Sequence, residues 1–259
     1  MSAFIPAARP LIGEEERSAV DRVLQSGMMA QGPEVAAFEN EFSTIVADRH
    51  CVAVNSGTSG LHMALSAAGI KQGDEVIVPS FTFAATANTV ALTGAAPVFV
   101  DIDPYSLAID SDLVLSAITP QTRAVFLTHV LGYNGLTNNL IEGLKKQNVL
   151  LIEDVCESHG ATHDGKKVGT FGWASNFSFY YAHHMTTIEG GIVSTDNYEL
   201  YEIIRMLRSH GMVRETNNNE LKAKYAKDYP DLNPDFIFAY ASHNMRPTEL
   251  NGILGLSQL

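Results

Sequence analysis

The sequence is short of cysteine, of basic residues and of long apolar runs, and each shortage excludes a class of protein. Its 259 residues include two cysteines, and 17 lysines and arginines stand against 29 aspartates and glutamates, for a net charge of −12. Two thiols cannot supply the four thiolates of an ordinary iron–sulfur cluster, and an acidic chain without a basic block disfavours a nucleic-acid partner. We also find no apolar run of membrane-spanning length, and no basic start that is followed by an apolar stretch. We therefore expect a soluble, cytoplasmic protein with no membrane partner, in which Cys51 and Cys156 are free thiols.

Short apolar strands alternate with helices over most of the chain. Strands are predicted at 51–54, 75–78, 97–100, 124–127, 149–152 and 192–194. Helices are predicted at 14–25, 33–45, 61–68, 139–146 and 199–210. A further helix is predicted to follow Phe83 and to run through Ala91, and the last one begins at about residue 248. Repeated units of this kind favour an α/β fold whose mostly parallel sheet is covered by helices on both faces, with ligands bound beyond the carboxyl ends of the strands. The polar, proline-containing segment 217–234 is predicted to be a loop.

The segment 177–191 concentrates polar side chains between two strands. It begins as an alternating aromatic strand over 177–181, and it ends in a glycine pair that enters the strand at 192–194. Two adjacent histidines, His183 and His184, stand in the turn between them. We expect the chemistry of the protein to be located in this turn.

Gly57, Thr58 and Ser59 join the first strand to a helix N-terminus. Free backbone N–H groups and the helix dipole favour a phosphate there, and a hydroxyl of Thr58 or Ser59 would add a donor. The alternative is an ordinary helix cap with a glycine turn. Ser178, on the aromatic strand, is either a further phosphate donor or a strand serine that faces a helix.

Asp154 ends the most apolar strand, where a carboxylate is costly unless a cation or hydrogen-bond donors meet it. A protonated pyridine nitrogen is such a cation; the alternative is that Asp154 caps the next turn. Glu157 follows three residues later, within reach of the same space. Phe83 lies just past another strand, where it either covers a ring face or belongs to the core. Together these positions predict a pocket for a phosphorylated, cationic aromatic ring.

The order and spacing of these motifs resemble one family. They are Gly57-Thr58-Ser59, Pro79-Ser80-Phe81-Thr82-Phe83, the run from Glu153 to Ala161, the segment 177–191 and Asn244-Met245-Arg246-Pro247-Thr248-Glu249. The combination is similar to the DegT/DnrJ/StrS-type nucleotide-sugar aminotransferases and dehydratases, which are fold-type-I pyridoxal phosphate enzymes. The resemblance implies a seven-stranded, mainly parallel large domain over residues 1–259, with an N-terminal arm and helices up to about residue 48. It also implies a homodimer with shared active sites. We expect the small C-terminal domain of the family to be absent and the chain to be a fragment.

Position by position, the resemblance assigns roles to the residues of the pocket. It implies that Gly57, Thr58 and Ser178 bind the cofactor phosphate, that Phe83 stacks on the ring and that Asp154 binds the pyridine nitrogen. Ser59 is included among the residues that bind the phosphate, and Asn244 would reach the phosphate of the partner subunit's cofactor. Glu157 stands where aminotransferases of the family usually have glutamine. No metal site is predicted.

His183 occupies the position of the lysine that binds the cofactor covalently in the aminotransferases. No lysine lies between Lys167 and Lys222, and imidazole cannot replace the lysine covalently, although it can act as a general acid and base. The change resembles the 3-dehydratases of 4-keto-6-deoxy sugars. It implies non-covalent pyridoxamine phosphate or pyridoxal phosphate, and loss of the C3 hydroxyl from a nucleotide-linked 4-keto-6-deoxy hexose, in deoxysugar or O-antigen-type polysaccharide biosynthesis. Glutamate is favoured over a reductase as the reagent that restores the cofactor.

Several alternatives remain open at this stage. His184 ranks second as the base, while His129, His159 and His210 are interpreted as structural residues or residues at the substrate rim. The rival functions are an ordinary sugar aminotransferase and a non-catalytic binding or regulatory homologue. Simple decay of an aminotransferase is disfavoured because Asp154, Ser178 and Glu157 accompany His183.

Overall fold

A mixed seven-stranded sheet forms the centre of the protein. The computed structural model describes residues 5, 6 and 9–259. In chain order the strands are β1 (His50–Val54), β2 (Glu75–Pro79), β3 (Ala96–Val100), β4 (Thr122–Thr128), β5 (Leu150–Asp154), β6 (Thr162–His163), β7 (Lys166–Lys167), β8 (Ala174–Ser178) and β9 (Gly191–Thr195). The large sheet has the order β1-β9-β8-β5-β4-β2-β3, and β6 and β7 form a separate small hairpin. Only β9 runs antiparallel to its neighbours within the large sheet, which confirms the predicted mostly parallel sheet.

Helices cover both faces of the large sheet. They are α1 (Glu14–Ser26), α2 (Pro33–Ile45), α3 (Gly57–Ala67), α4 (Ala85–Leu92), α5 (Ser111–Ala117), α6 (Asn138–Gln147), α7 (Tyr198–Arg208), α8 (Asn219–Asp228) and α9 (Glu249–Gln258). Successive strand residues point to opposite faces, so that in β4 the buried Phe126 packs toward α3, α4 and α7 while Leu127 packs toward α2, α5 and α6. Each such buried side chain contributes about 1.5–3 kcal/mol. The two cores therefore hold the sheet rigidly between two helical layers.

The N-terminal helices are attached to the last helix. Ala19 and Val23 of α1 form a small cluster with Ile253 of α9. Gly27 ends α1 in the left-handed region at φ 71°, as its position after the apolar pattern predicts. The N-terminal arm falls partly on residues 1–4, 7 and 8, which lie outside the described residues, and the domain division stays a prediction.

Two of the sequence-based predictions of secondary structure are wrong. The strand predicted at 177–181 is β8, which begins three residues earlier and ends at Ser178. Its first residues are small or polar but fully buried, and Ser175 is satisfied by Ser194 at 2.7 Å between the two hydroxyl oxygens. The loop predicted at 217–234 contains α8, whose N-terminus is capped by Asn218. None of the residues of α8 is buried, so the helix shows no apolar period.

No helix in the described part of the chain combines the length and apolarity needed to cross a membrane.

Candidate active site

The carboxyl ends of β1, β5 and β8 bring the predicted phosphate-binding residues together. A Cβ atom placed on Gly57 would lie 2.7 Å from Cβ of Ser178 and 3.3 Å from Sγ of Cys156. The first distance is shorter than Cβ atoms in real structures allow, so a side chain at position 57 would require Ser178 to move. The backbone at the start of α3 thus lies directly against Ser178, although the two residues are far apart in the sequence.

The first turn of α3 leaves donors available. Ser56 is the N-cap, and its Oγ accepts the N–H of Ser59 at 3.1 Å. The Ser59 hydroxyl donates to Oδ1 of Asn55 at 2.6 Å, so it is used within the turn. The N–H groups of Gly57 and Thr58 have no hydrogen-bond partner in the described chain. An anion at this turn would therefore meet two backbone donors and the exposed Thr58 hydroxyl.

Asp154 is a nearly sealed carboxylate at the end of β5, with 6% of its surface exposed. Its Oδ1 accepts the N–H of Cys156 at 3.2 Å. Burial raises the pKa of Asp154, and this effect exceeds the lowering by Cys156 and by the buried His129. No lysine or arginine of the described residues forms an ion pair with it. A bound cation would stabilise this carboxylate more than any group the described chain supplies.

His183 lies in the electrostatic field of Asp154 and Glu157. The imidazole is half-buried, and the backbone N–H of His183 donates to the carbonyl of Tyr180 at 3.0 Å. Burial lowers the pKa of His183, while the carboxylates of Glu157 and Asp154 oppose that change. The structure therefore brings the three residues of the predicted catalytic set to one place, and it keeps His183 neutral near pH 7 as a base must be.

His184 contacts a different group of residues from His183. Its ring stacks on that of His159, with the centroids 5.1 Å apart and the planes at 25°. Both line a cavity of about 200 Å³ next to Phe42 and Phe177, on the side of the sheet covered by α2. The order of preference between the two histidines, with His183 first, stays a prediction.

Glu157 also fixes the loop that follows β4. Its Oε2 accepts the N–H of Leu131 at 3.0 Å, and Oγ of Ser158 accepts the N–H of Gly132 at 3.0 Å. Leu131 is held in the left-handed region at φ 53°, and 67% of its surface is exposed. The loop thus presents an apolar side chain beside the carboxylate of Glu157.

Phe83 and Asn244 lie on the surface of the described chain. Phe83 follows β2 and is 77% exposed, so its ring has room for a second ring. Asn244 is exposed, and the next residue, Met245, accepts the N–H of Asn55 at 3.0 Å. Ring stacking by Phe83 and a contact from Asn244 to a partner subunit both stay predictions.

The sequence patterns do not indicate a buried hydrogen-bonded pair beside the site, His129 and Glu153. Nε2 of His129 lies 3.1 Å from Oε2 of Glu153, and Nδ1 accepts the N–H of Gly135 at 3.0 Å, which leaves the proton on Nε2. Burial raises the pKa of Glu153, but His129 and backbone N–H groups, including those of Gly169 and Gly172, outweigh this and lower it overall. Strand alternation was the available signal, because it sends Glu153 and Asp154 to opposite faces. His129 is thus structural. His210, at φ 61°, donates its N–H to the His243 carbonyl at 2.9 Å.

These residues fit a pyridoxal phosphate type of cofactor. The turn at Gly57 leaves no room for a side chain but offers two N–H donors, as a phosphate requires. Asp154 is a buried carboxylate without a cationic partner in the described chain, as a pyridinium requires. No lysine is among the charged groups that affect His183.

Comparisons with known proteins agree with this interpretation. The spore coat polysaccharide biosynthesis protein SpsC of Bacillus subtilis is 38% identical over 258 residues, which are 99% of this chain and 64% of SpsC. The GDP-4-keto-6-deoxy-D-mannose-3-dehydratase of E. coli, solved with bound hydrated PLP, has a TM-score of 0.88 at 30% identity, over 98% of this chain and 66% of that one. Helicobacter pylori PseC, an aminotransferase involved in the biosynthesis of pseudoaminic acid, has a TM-score of 0.84 at 30% identity, over 98% of this chain and 64% of that one.

The chain therefore spans about two thirds of the length of each of these relatives. The sheet order, with its single antiparallel strand, is that of a fold-type-I pyridoxal phosphate enzyme. The model of one family matches residues 10–259. The chain belongs to the DegT/DnrJ/EryC1/StrS aminotransferase family.

Proposed function

We propose that the protein is a pyridoxamine phosphate-dependent 3-dehydratase, which removes the C3 hydroxyl of a nucleotide-linked 4-keto-6-deoxy hexose. The observation that carries the proposal is His183, which stands where the aminotransferases have a lysine and lies in the field of Asp154 and Glu157. The cofactor, when bound, supplies an amine for the C4 ketone and a ring that accepts electrons. Because the chain offers no lysine at this position, the cofactor would be held without a covalent bond.

Different residues would bind the phosphate, the ring face and the ring nitrogen of the cofactor. The N–H groups of Gly57 and Thr58, with the hydroxyls of Thr58 and Ser178, would hold the phosphate. Phe83 would cover one face of the ring. Asp154 would keep a proton on the pyridine nitrogen, since a buried carboxylate gains most from a cationic neighbour.

His183 would move the protons of the reaction. Its neutral imidazole would take a proton from the C4′ carbon of the cofactor and then give a proton to the departing C3 hydroxyl. The carboxylate of Glu157 stabilises the protonated imidazole of His183. It would therefore assist the transfer of the proton from C4′ to His183. The sugar would lose one oxygen atom and keep its C4 ketone, and the amine form of the cofactor would supply the two electrons for this loss and release its nitrogen as ammonia.

The relatives support the substrate class and the amino donor. The E. coli protein is named a 3-dehydratase of a GDP-linked 4-keto-6-deoxy sugar, and the same type of dehydratase has been solved with glutamate trapped on PLP. SpsC is named for polysaccharide biosynthesis. We infer that glutamate restores the amine form of the cofactor here, and that the product enters a deoxysugar-containing polysaccharide such as an O-antigen.

A homodimer with shared active sites forms part of the proposal. Phe81, Phe83, Leu131, Tyr181 and Ile188 are each 49–77% exposed, and they all lie in loops at the carboxyl edge of the sheet. Apolar patches of this kind mark contact surfaces. A second subunit on this edge would cover them and bring its Asn244 to the phosphate.

An ordinary sugar aminotransferase is the second candidate, favoured by the fold shared with PseC. It would transfer the amino group of glutamate to C4 and leave the oxygen at C3. A non-catalytic homologue would do neither.

The test supplies the purified protein with pyridoxamine phosphate, glutamate and a nucleotide-linked 4-keto-6-deoxy hexose. Mass spectrometry is expected to show a product that has lost one oxygen atom but gained no nitrogen. His183→Asn should abolish this product, and His183→Lys should shift the reaction toward amino transfer. An aminated product from the wild-type protein, or a cofactor-linked peptide after borohydride treatment, would establish the aminotransferase instead.

A further inference from the structure

Asn251 of α9 binds the backbone of the turn that carries His183, and none of the steps above uses it. Its Nδ2 donates to the carbonyl of Thr187 at 2.8 Å and to the carbonyl of Glu189 at 2.9 Å. These two carbonyls lie on either side of Ile188 in the chain. One side-chain amide therefore holds the turn at two points.

The residue between the two carbonyls has a backbone conformation that its side chain disfavours. Ile188 lies in the left-handed region at φ 74°, where a β-branched residue is a clear outlier. Its side chain is 63% exposed, so packing within the described chain does little to hold it there. A conformation of this kind persists only where surrounding contacts impose it. The two hydrogen bonds from Asn251 are such contacts, and the Thr186 hydroxyl adds a third by accepting the N–H of Ile188 at 3.0 Å.

The amide of Asn251 uses all of its hydrogen-bonding capacity. Its Oδ1 accepts the N–H and the hydroxyl of Thr248, both at 2.7 Å, within the capping box of α9. An asparagine amide offers two N–H donors and two acceptor positions, and all four are occupied here. The reversed amide would direct its oxygen at two carbonyls, so its orientation is fixed.

The helix that carries Asn251 is itself held firmly. A Cβ atom on Gly252 would lie 2.6 Å from the backbone nitrogen of Val35, so α9 and α2 are in close backbone contact. Gln258 follows Asn251 by two helical turns and lies on the same face of α9. Its Oε1 accepts the N–H of Thr186 at 3.3 Å. The turn is thus attached by two side chains to a helix that packs tightly on α2.

The attachment reaches His183 through the closure of the turn. Thr187 donates its N–H to the carbonyl of Phe179 at 3.0 Å, which closes a loop that contains His183. The N–H of His183 donates within this loop to the carbonyl of Tyr180 at 3.0 Å. A change of the backbone at Thr187 therefore changes the loop on which the imidazole is carried.

We propose that Asn251 is a positioning residue for the proton transfers of His183, which holds the turn in the left-handed conformation at Ile188. The inference rests on the proposed function, because it requires His183 to act as the acid and base. Asn251 touches none of the reacting atoms and transfers no proton. It acts through the backbone of residues 187–189.

The test uses two substitutions of Asn251. Asn251→Ala removes the amide, and Asn251→Asp keeps an oxygen for Thr248 but directs a carboxylate oxygen at the two carbonyls. The matched control is Asn197→Asp, since Oδ1 of Asn197 caps α7 by accepting the N–H of Leu200 at 3.0 Å. Asn197 follows β9, whose antiparallel direction puts it at the opposite edge of the sheet.

Both substitutions of Asn251 are expected to lower kcat by about 10- to 100-fold, as for a small displacement of a catalytic group. The KM of the sugar and the dissociation constant of pyridoxamine phosphate should change by less than about twofold, because Asn251 contacts neither the phosphate turn nor Asp154. Without cofactor or substrate, backbone hydrogen exchange in the segment 179–191 should become faster, measured by mass spectrometry. Asn197→Asp should match the wild type in all of these properties.

A second substitution separates the strained turn from a general loss of packing. Glycine adopts the left-handed region at no steric cost, so Ile188→Gly should make the hydrogen bonds of Asn251 less necessary. The double variant Asn251→Ala/Ile188→Gly is expected to recover kcat to within about threefold of Ile188→Gly alone. It should also have a higher melting temperature than Asn251→Ala without cofactor.

Two results would overturn the inference alone. The first is an Asn251→Ala protein with the kcat and the exchange rates of the wild type. The second is a loss of kcat that Ile188→Gly does not restore, which would assign the effect to the packing of α9. An aminated product from the wild-type protein would overturn the proposed function, while hydrogen exchange and melting temperature would still show whether Asn251 holds the turn.

Discussion

The imidazole of His184 stacks on the imidazole of His159, with 5.1 Å between the ring centroids. Burial lowers the pKa of His183, and the carboxylates of Glu157 and Asp154 oppose that change. Two neighbouring histidines of one turn thus have different surroundings.

Because the two histidines have different surroundings, their substitution should have very different effects on kcat. His183→Asn is expected to lower kcat by at least about 10²-fold, the usual contribution of a general acid–base residue. His184→Asn should change kcat only a few-fold, since it loses a ring contact. Steady-state kinetics of both variants make the comparison, and a larger loss in His184→Asn would reverse the assignment.

His159 should make the protein sensitive to acid. Burial, with smaller effects from His184 and His183, lowers the pKa of His159 to about 3. Between that value and the ordinary value of about 6.5, the unfolded state binds more protons than the folded state, so stability falls as the pH falls through this window. Urea midpoints measured between about pH 4 and pH 7 should show this loss, and His159→Phe should flatten it because a phenyl ring keeps the packing on Phe177 and Phe179. An unchanged slope in His159→Phe would move the acid sensitivity to other groups.

Glu249 joins the last helix to the second one. Its carboxylate accepts the N–H groups of Gly32, Glu34 and Val35 at 2.8–3.0 Å, which satisfies the N-terminus of α2 and complements its dipole. Glu249→Gln is expected to lower the free energy of unfolding by about 1–3 kcal/mol, because hydrogen bonds to a charged acceptor are lost. Urea denaturation measures the change.

The matched control for that experiment is Glu220→Gln on α8, where the glutamate is exposed. A surface change of this kind should stay within about 0.5 kcal/mol. Equal effects of the two substitutions would mean that the carboxylate of Glu249 does not stabilise α2.

We expect the buried carboxylate of Asp154 to lower the stability of the cofactor-free protein at neutral pH. Burial raises its pKa above the ordinary value of 3.8, so the folded state binds more protons than the unfolded state above that pH. Its contribution to stability is therefore present in acid and is lost as the pH rises through the folded pKa. Asp154→Asn is expected to raise the melting temperature of the cofactor-free protein at pH 7 and to weaken pyridoxamine phosphate binding about tenfold or more. Calorimetry and fluorescence titration test the two effects, and a melting temperature that falls would contradict the first.

The sequence predicts the sheet well where the strands are apolar and poorly elsewhere. β4 and β5 carry continuous apolar runs, and they were located within two residues. The predicted position of β8 is wrong because Ser175 and Asn176 are polar residues that are buried, where Ser175 bonds to Ser194 and the amide N–H of Asn176 bonds to Cys156. α8 was missed because a helix without a buried face has no apolar period to detect.

The candidate site is also predictable from the sequence only in part. The position of Asp154 at the end of an apolar strand is enough to predict its burial, and the absence of lysine near His183 is visible directly. The contact between Cys156 and Asn176 is not visible, because it depends on the register in which β5 and β8 pair. The different neighbours of His183 and His184 depend on how the turn folds back on β8, which single-residue patterns do not encode.

The turn that holds His183 is closed at its base. Ser178 and Gly191 pair across β8 and β9, and the N–H of Phe179 donates to the carbonyl of Gly190 at 3.0 Å. The turn thus leaves the sheet and returns to it at neighbouring positions, so we expect a substitution at its tip to leave the strands in place. Under the proposed function, such a fold would exchange one reaction for another through the residues of a single turn, without a redesign of the sheet that would bind the cofactor.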